Sequence, residues 1–201
     1  MQMRAVAIAA LLAAMGCESE SLEPDSSSSP VEYPIPLEAL YEPSGWVGDA
    51  AAGNVFVSYD QNYRGLRRPG DHDGTVTRVS YSRGPAGWAG LYWQWPAGNW
   101  GEAKGRSLSA QRVLFSARGE SGGESVAFNV GGIGRDGELP FRDSVDRSSG
   151  GISLESEWRQ YEIDLNDQDL SSVIGGFAWT VQSRVNVGDP IVFYIDNIRF
   201  E

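Results

Sequence analysis

Residues 75–81 read TVTRVSY, so that Thr77, Val79 and Tyr81 fall on one parity and Arg78 and Ser80 on the other. Alternate residues of a β-strand point to opposite faces, so this period of two predicts a strand. The same period returns at residues 55–59, 113–117, 126–130, 161–165 and 177–181. Strands are therefore predicted to be the main secondary structure of this chain.

Turn-forming segments, not helices, separate these strands. Residues 131–138 (GGIGRDGE) have a typical turn composition. Only residues 169–174 are predicted to form a helical turn, with Asp169 as its N-cap. With the aromatic stretch at 88–100 and a last strand at 191–201, about eight strands are predicted. No repeat at propeller or solenoid spacing is present, so the predicted fold class is all-β, an antiparallel β-sandwich or jelly roll.

The first sixteen residues have the pattern of an export signal. Arg4 precedes an apolar run at residues 5–14, which is too short to span a bilayer. Residues 14–17 (AMGC) resemble the cleavage site of a bacterial lipoprotein, with Cys17 predicted to carry the lipid. Because Cys17 is the only cysteine, an internal disulfide is excluded. The alternative is an ordinary secretory signal followed by an accidental cysteine.

The composition beyond the signal predicts a tether followed by one domain. Residues 17–36 are acidic and rich in serine and proline, which predicts a flexible tether. Residues 37–201 have the length of a single domain with its own core. Glu18 follows the predicted lipid-bearing residue, which resembles the default export to the outer membrane in many Gram-negative bacteria. The predicted location is therefore the bacterial cell envelope, with a membrane anchor at Cys17.

The charge balance makes anionic partners unfavourable. Without Arg4, the chain has 15 basic and 27 acidic residues, a net charge of −12. Nucleic acids and anionic lipid head groups would be repelled by such a surface.

Residues 84–101 (GPAGWAGLYWQWPAGNWG) contain five aromatic residues within thirteen positions, 88–100. Such a density indicates either a dense piece of core or a platform for a sugar ring, whose apolar face stacks on an indole. Alternation along the strand places one set of side chains in the core and the other outside. The predicted ligand-binding residues are Trp95, Trp100, Tyr92, Gln94 and Asn99. By contrast, the core is predicted to receive Trp46, Trp158 and Trp179.

The order of elements resembles the galactose-binding-like β-jelly-roll found in many carbohydrate-binding modules of bacterial cellulases and xylanases. The matching segments are residues 41–46 (YEPSGW), 158–161 (WRQY), 175–177 (GGF) and 193–198 (FYIDNI). The resemblance implies a jelly-roll fold and a carbohydrate partner for residues 37–201.

The same resemblance implies a structural calcium ion, with the aspartate of the last strand as a ligand. That position is Asp196 here. Calcium takes six to eight oxygen ligands, and the further candidates are Glu42, Asp49, Asp71 and Asp73. Turn formation is an equal alternative for Asp71 and Asp73.

Two other functions remain open. The first is a hydrolase or lyase, which would use carboxylates from the set Glu102, Glu120, Glu124, Asp136, Glu138 and Asp143, although no motif singles out a pair. The only histidine, His72, lies in a predicted turn, which disfavours a Ser-His-Asp site. The second is a structural envelope lipoprotein with a protein partner. Non-catalytic carbohydrate binding is the preferred interpretation.

The lipid anchor predicts a simple labelling result. The wild-type protein should incorporate labelled fatty acid and partition into detergent, because Cys17 would carry acyl chains. Cys17→Ser should be unlabelled and released from the membrane fraction. A wild-type protein that is unlabelled and fully soluble in the periplasm would contradict the anchor.

Overall fold

A computed structural model describes residues 32–71, 74–134 and 139–201. The predicted signal, Cys17, most of the predicted tether, His72, Asp73, Asp136 and Glu138 lie outside the described residues. No helix in the described ranges is long and apolar enough to cross a membrane.

The described chain forms two antiparallel sheets packed as a sandwich, which confirms the predicted fold class. Sheet I has the order β3-β4-β11-β6-β9, with β1 paired to β11, and sheet II has the order β2-β5-β10-β7-β8. The strands are β1 Ile35–Pro36, β2 Glu42–Gly48, β3 Val57–Tyr63, β4 Val76–Tyr81, β5 Trp88–Gln94, β6 Arg112–Gly119, β7 Ser125–Gly131, β8 Asp146–Ser153, β9 Arg159–Asp164, β10 Gly175–Gln182 and β11 Ile191–Phe200.

The core lies between the sheets and is filled from alternate positions of the central strands. Trp179 of β10 and Phe193 of β11 meet edge to face across the interface, with ring centroids 5.4 Å apart. Phe177 packs in the same way against Phe115 of β6 at 5.3 Å. These rings are fully buried, and each large aromatic removes roughly 150–250 Å² from water. The alternation seen in the sequence is therefore the basis of the core.

Two sequence-based expectations about secondary structure are wrong. The predicted helical turn at residues 169–174 is absent, because the Asp169 carboxylate accepts a hydrogen bond from the amide of Ser171 and Val173 forms a β-bridge with Arg106. Strand β8 was not predicted, since residues 146–153 (DRSSGGIS) are polar and glycine-rich. The helical turns that do form are short 3-10 helices at Leu37–Ala39, Asp49–Ala52 and Ser183–Val185.

The folded domain begins before residue 37, where the tether was predicted to end. Ile35 and Pro36 pair with Phe200 and Arg199 of β11, and Ile35 is buried. The hydroxyl of Tyr33 accepts a hydrogen bond from the amide of Ser109 at 3.0 Å. The end of this proline-rich segment therefore belongs to the folded domain and pairs with the central strand of sheet I.

The three tryptophans predicted for the core have different environments. Trp179 is completely buried. Trp46 packs against the main core, where its ring meets the Tyr59 ring edge to face with centroids 5.3 Å apart. Trp158 instead lies in a small cluster on the outer face of sheet I, and its indole nitrogen donates to the carbonyl of Arg67. The expectation for Trp158 is therefore corrected, because it belongs to this outer cluster.

Replacement of these tryptophans should separate the two clusters. Trp179→Ala should lower the free energy of unfolding by about 3–5 kcal/mol, because it removes a large ring from the closed interior. Trp158→Ala should lower it distinctly less, since this ring is only half-buried. Denaturant unfolding of both variants measures the difference, and equal losses would contradict the assignment of Trp158 to a peripheral cluster.

Candidate functional site

Strand β5 divides the aromatic stretch between the core and the surface. Leu91 and Trp93 point between the sheets and are buried. Trp88 and Tyr92 have the opposite parity and point out of sheet II, where Trp88 is 39% exposed and Tyr92 is half-buried. We call this outer surface of sheet II the open face. Trp88 and Tyr92 are four positions apart, so the Cα atoms that carry the two rings lie about 13 Å apart along the strand.

Small residues form the floor of the open face. Gly90 lies between the two outward rings, and its strand neighbour in β10 is Thr180. A Cβ atom on Gly90 would lie 2.9 Å from the Thr180 Cγ2 atom. Ala127 follows Thr180 in the register, and Gly151 follows Ala127 on β8. Gly90 itself is buried, because Thr180 Cγ2 and Val47 Cγ2 lie where its side chain would be, and these small groups form the floor between the two rings.

Trp100 adds a wall at the Tyr92 end of the open face. The two rings meet edge to face, with centroids 5.8 Å apart and an interplanar angle of 69°. The backbone amide of Trp100 donates to the Glu102 carboxylate at 2.7 Å, which fixes the local turn. Trp100 is half-buried and thus keeps part of its ring exposed.

Two buried amides hold the loop that presents Trp100. Asn99 donates to the carbonyls of Trp95 and Ala103 and accepts from the amides of Gly101 and Ala103. Gln94 donates to the Asn99 carbonyl at 2.8 Å. Gln94 and Asn99 are 0% and 4% exposed and make hydrogen bonds within the loop, and their role as ligand contacts stays a prediction. Their polar atoms organise the loop, because a buried amide must satisfy its hydrogen bonds within the protein.

Asp143 stabilises the neighbouring loop in a similar way. Its carboxylate is 3% exposed and accepts from the amides of Ile133, Ile174 and Gly175. A Cβ atom on Gly175 would lie 3.2 Å from the Tyr92 ring. Asp143 thus connects the loop after β7 to the start of β10, beside the open face.

Strands β7, β8 and β10 contribute polar side chains to the open face. Asn129 and Ser148 occupy the register row of Tyr92, and Thr180 occupies the row of Gly90. Burial and the negative charges of Asp146 and Asp143 raise the pKa of Tyr92 above its ordinary value, so its hydroxyl stays protonated at neutral pH. Sequence reasoning missed these β7, β8 and β10 residues because only the register shows that they share a face with Tyr92.

Trp95 lies at the edge of sheet II, with a different set of neighbours. Its ring is 36% exposed, and the Arg106 guanidinium lies 4.4 Å from the ring centroid. Arg106 also donates to the carbonyl of Leu40 at 3.0 Å. The guanidinium occupies part of the indole surface, which leaves less of it for stacking. The role of Trp95 in ligand binding stays a prediction.

The described acidic candidates for catalysis lie at two opposite ends of the sandwich. Asp143 is engaged with backbone amides, while Glu124 and Glu120 lie beyond the end of β6 and accept from Ser121 and Tyr194. Glu102 lies in the loop after β5, towards the opposite end of the sandwich. The eight residues of β6 span about 26 Å. Glycosidase carboxylates lie about 5–9.5 Å apart, so none of these described residues supplies such a pair across the two ends.

Asp196 was predicted to bind calcium but has an arginine partner. Its Oδ2 atom lies 2.6 Å from Arg68 Nε, and its Oδ1 atom accepts from the amide of Asn197 at 2.8 Å. An ion pair satisfies a carboxylate next to an apolar strand as well as a metal would.

The other calcium candidates lie elsewhere. Asp49 accepts from the Tyr81 hydroxyl at 2.6 Å and from three backbone amides. Burial raises the pKa of Asp49, but these hydrogen bonds outweigh it and the pKa lies below its usual range. Tyr81 pairs with Ile191, five residues before Asp196 along β11, a separation of about 17 Å. Glu42 and Asp49 flank opposite ends of β2.

The predicted calcium site stays a prediction. Glu42, Asp49 and Asp196 lie apart, and Asp73 lies outside the described residues. Within the described ranges, no group of three or more His, Cys, Asp or Glu side chains is placed to hold a metal ion.

Comparisons with known proteins concern the fold. No family model matches the sequence, and no curated protein matches it. Solved structures that align with this chain include several carbohydrate-binding modules, as the sequence resemblance implied. A family 30 module aligns with a TM-score of 0.49 and 15% identity, covering 79% of this chain and 82% of the module. A family 11 module of a cellulosomal cellulase from Clostridium thermocellum gives 0.48 and 15%, over 86% and 95%. A xylan-binding domain from Paenibacillus barcinonensis gives 0.44 and 11%, over 84% and 92%.

The buried amide of Asn99 generates a stability prediction. Asn99→Ala should lower the free energy of unfolding by roughly 2–4 kcal/mol, because it leaves several backbone groups of the loop without partners. Thermal and denaturant unfolding measure the loss, and the exposed Asn54→Ala is the control. Equal stability of the two variants would contradict the role given to Asn99.

Proposed function

We propose that this protein is a non-catalytic module that binds an oligosaccharide or polysaccharide on the open face. The observation that carries the proposal is the pair of outward rings on β5, Trp88 and Tyr92, with Trp100 beside Tyr92. No other strand packs on this face in the described part of the chain. Aromatic rings left outside a filled core mark a binding surface.

The open face has the physical properties that a glycan requires. A sugar ring has an apolar face of C–H groups, which stacks on an indole or phenol ring, and a rim of hydroxyl groups, which need hydrogen bonds. Asn129, Ser148 and Thr180 supply neutral donors and acceptors along the floor. Pockets with aromatic walls and a few placed polar groups orient small ligands in this way.

The spacing of the outward rings favours an extended ligand that runs along β5. Gly90 is the one residue between Trp88 and Tyr92 on this face of β5, and it carries no side chain that would stand between the rings. The Cα atoms of Trp88 and Tyr92 are about 13 Å apart along the strand. Several linked sugars can bridge this distance, but a single sugar ring cannot.

The same proposal places the module at the bacterial cell envelope. The support is the sequence alone: the apolar run at residues 5–14 and the lone Cys17 after it. A lipid at Cys17 would hold the module at a membrane surface through the serine-rich tether, while the domain binds glycan.

Ring replacement tests the binding face directly. After a glycan array identifies a ligand, Trp88→Ala, Tyr92→Ala and Trp100→Ala should each weaken binding by about tenfold to a hundredfold. This range corresponds to the roughly 1–3 kcal/mol measured for stacking of a base on an aromatic side chain. Isothermal titration calorimetry measures the affinity, and unfolding curves check that each variant is folded.

Two further tryptophan variants complete this test. Trp158→Ala is the matched control, because this ring lies on the outer face of sheet I and should leave the affinity unchanged. Trp95→Ala examines the edge of sheet II. A loss of binding confined to Trp95→Ala, with the three open-face variants unaffected, would overturn the proposed face.

A further inference from the structure

The Trp88 end of the open face contains a cavity that differs in chemistry from the Tyr92 end. It has a volume of about 480 Å³ and is lined by Ala86, Gly87, Trp88, Gln182 and Arg184. Trp88 and Gln182 are direct cross-strand partners between β5 and β10. The cavity therefore combines an exposed indole, an amide and a guanidinium in one place.

Trp88 is fixed from the β2 side. A Cβ atom on Gly48 would lie 2.9 Å from Cδ2 of the indole ring. Because the ring packs over this glycine, it cannot turn further towards β2. The indole, which is 39% exposed, thus contributes a defined surface to the cavity.

Arg184 is also held in place. Its Nε atom donates to Gln182 Oε1 at 2.8 Å. The 3-10 helix Ser183–Val185 that carries Arg184 is attached to β5, because the Ser183 hydroxyl and amide both donate to the Gly87 carbonyl at 2.9 Å. No ion pair joins Arg184 to a carboxylate within the described ranges. Its terminal nitrogens therefore remain able to bind an anion.

We propose that this cavity binds a uronic acid residue of the glycan, with its ring against Trp88 and its carboxylate on Arg184. The inference rests on the proposed function of the open face. A planar guanidinium offers two parallel N–H donors that match a carboxylate, and charge-assisted bonds of this kind are roughly twice as strong as neutral ones. Gln182 accepts the hydrogen bond of Arg184 Nε and so orients the two terminal nitrogens of the guanidinium.

The overall charge restricts the ligand further. A chain with a net charge of −11 repels a continuous polyanion, whereas one local arginine attracts one carboxylate. Asp146 at the Tyr92 end adds to this repulsion. The cavity is therefore suited to a glycan that has isolated uronic acids on a neutral backbone.

A matched pair of ligands tests the proposal. Glucuronoxylan oligosaccharides and their carboxyl-reduced counterparts differ only in the charged group, and calorimetry measures both affinities. The wild-type protein should bind the acidic form roughly tenfold or more tightly than the reduced form, because a hydrogen-bonded ion pair is lost on reduction. The preference should shrink as salt is added.

Protein variants locate the effect. Arg184→Gln should bind both forms equally. Arg64→Gln, which makes the same charge change at an exposed residue following β3 of sheet I, should keep the preference. Tyr92→Ala should weaken both forms in parallel, since Tyr92 lies at the other end of the open face.

The outcomes separate this inference from the proposed function. Equal wild-type binding of the two forms, with both weakened in Tyr92→Ala, would overturn the uronic acid site and leave the open face intact. A preference that persists in Arg184→Gln would also overturn it. Failure to bind either form would refute the uronic acid site, and failure to bind any glycan on an array would refute the proposed function as well.

Discussion

The side-chain alternation of strand β5 is the constraint on which both the core and the candidate site depend. One parity sends Leu91 and Trp93 between the sheets, and the other sends Trp88 and Tyr92 to the open face. A shift of one residue in the register would exchange these two sets. The aromatic stretch therefore serves two purposes, and the hydrophobic core fixes the orientation of the rings that remain outside.

Buried polar groups supply the second condition for a binding face. Asn99 closes the loop that presents Trp100, and Asp143 joins the loop after β7 to the start of β10. Both side chains lie below the surface and use their hydrogen bonds on backbone groups. Such groups are costly to leave unpaired, so they hold the loops in one arrangement. A preorganised face loses less entropy when a ligand binds.

Local patterns were sufficient to predict the fold class. The period of two identified strands at residues 75–81 and 177–181, and it separated Trp93 from Tyr92. The polar strand β8 escaped prediction, because it gains its structure from pairing with β7 and has no hydrophobic period of its own. Pairing between distant segments cannot be read from composition.

The candidate site could be predicted only in part from the sequence, for the same reason. Gln94 has the parity of an outward residue, yet the loop after β5 folds over it and buries it. Asp196 was expected to need a charged partner, and that partner, Arg68, comes from a loop 128 residues earlier. Arg184 lies far from Trp88 in sequence and meets it only through the register of β10 and β5.

The indole N–H signals of the seven tryptophans in a two-dimensional NMR spectrum test the central claim most directly. During titration with a glycan that binds, the account predicts that the signals of Trp88 and Trp100 shift most. Those of the interior Trp93 and Trp179 and of the distant Trp158 should stay almost unchanged. Shifts confined to Trp158, or to Trp95 at the sheet edge, would contradict a binding site on the open face.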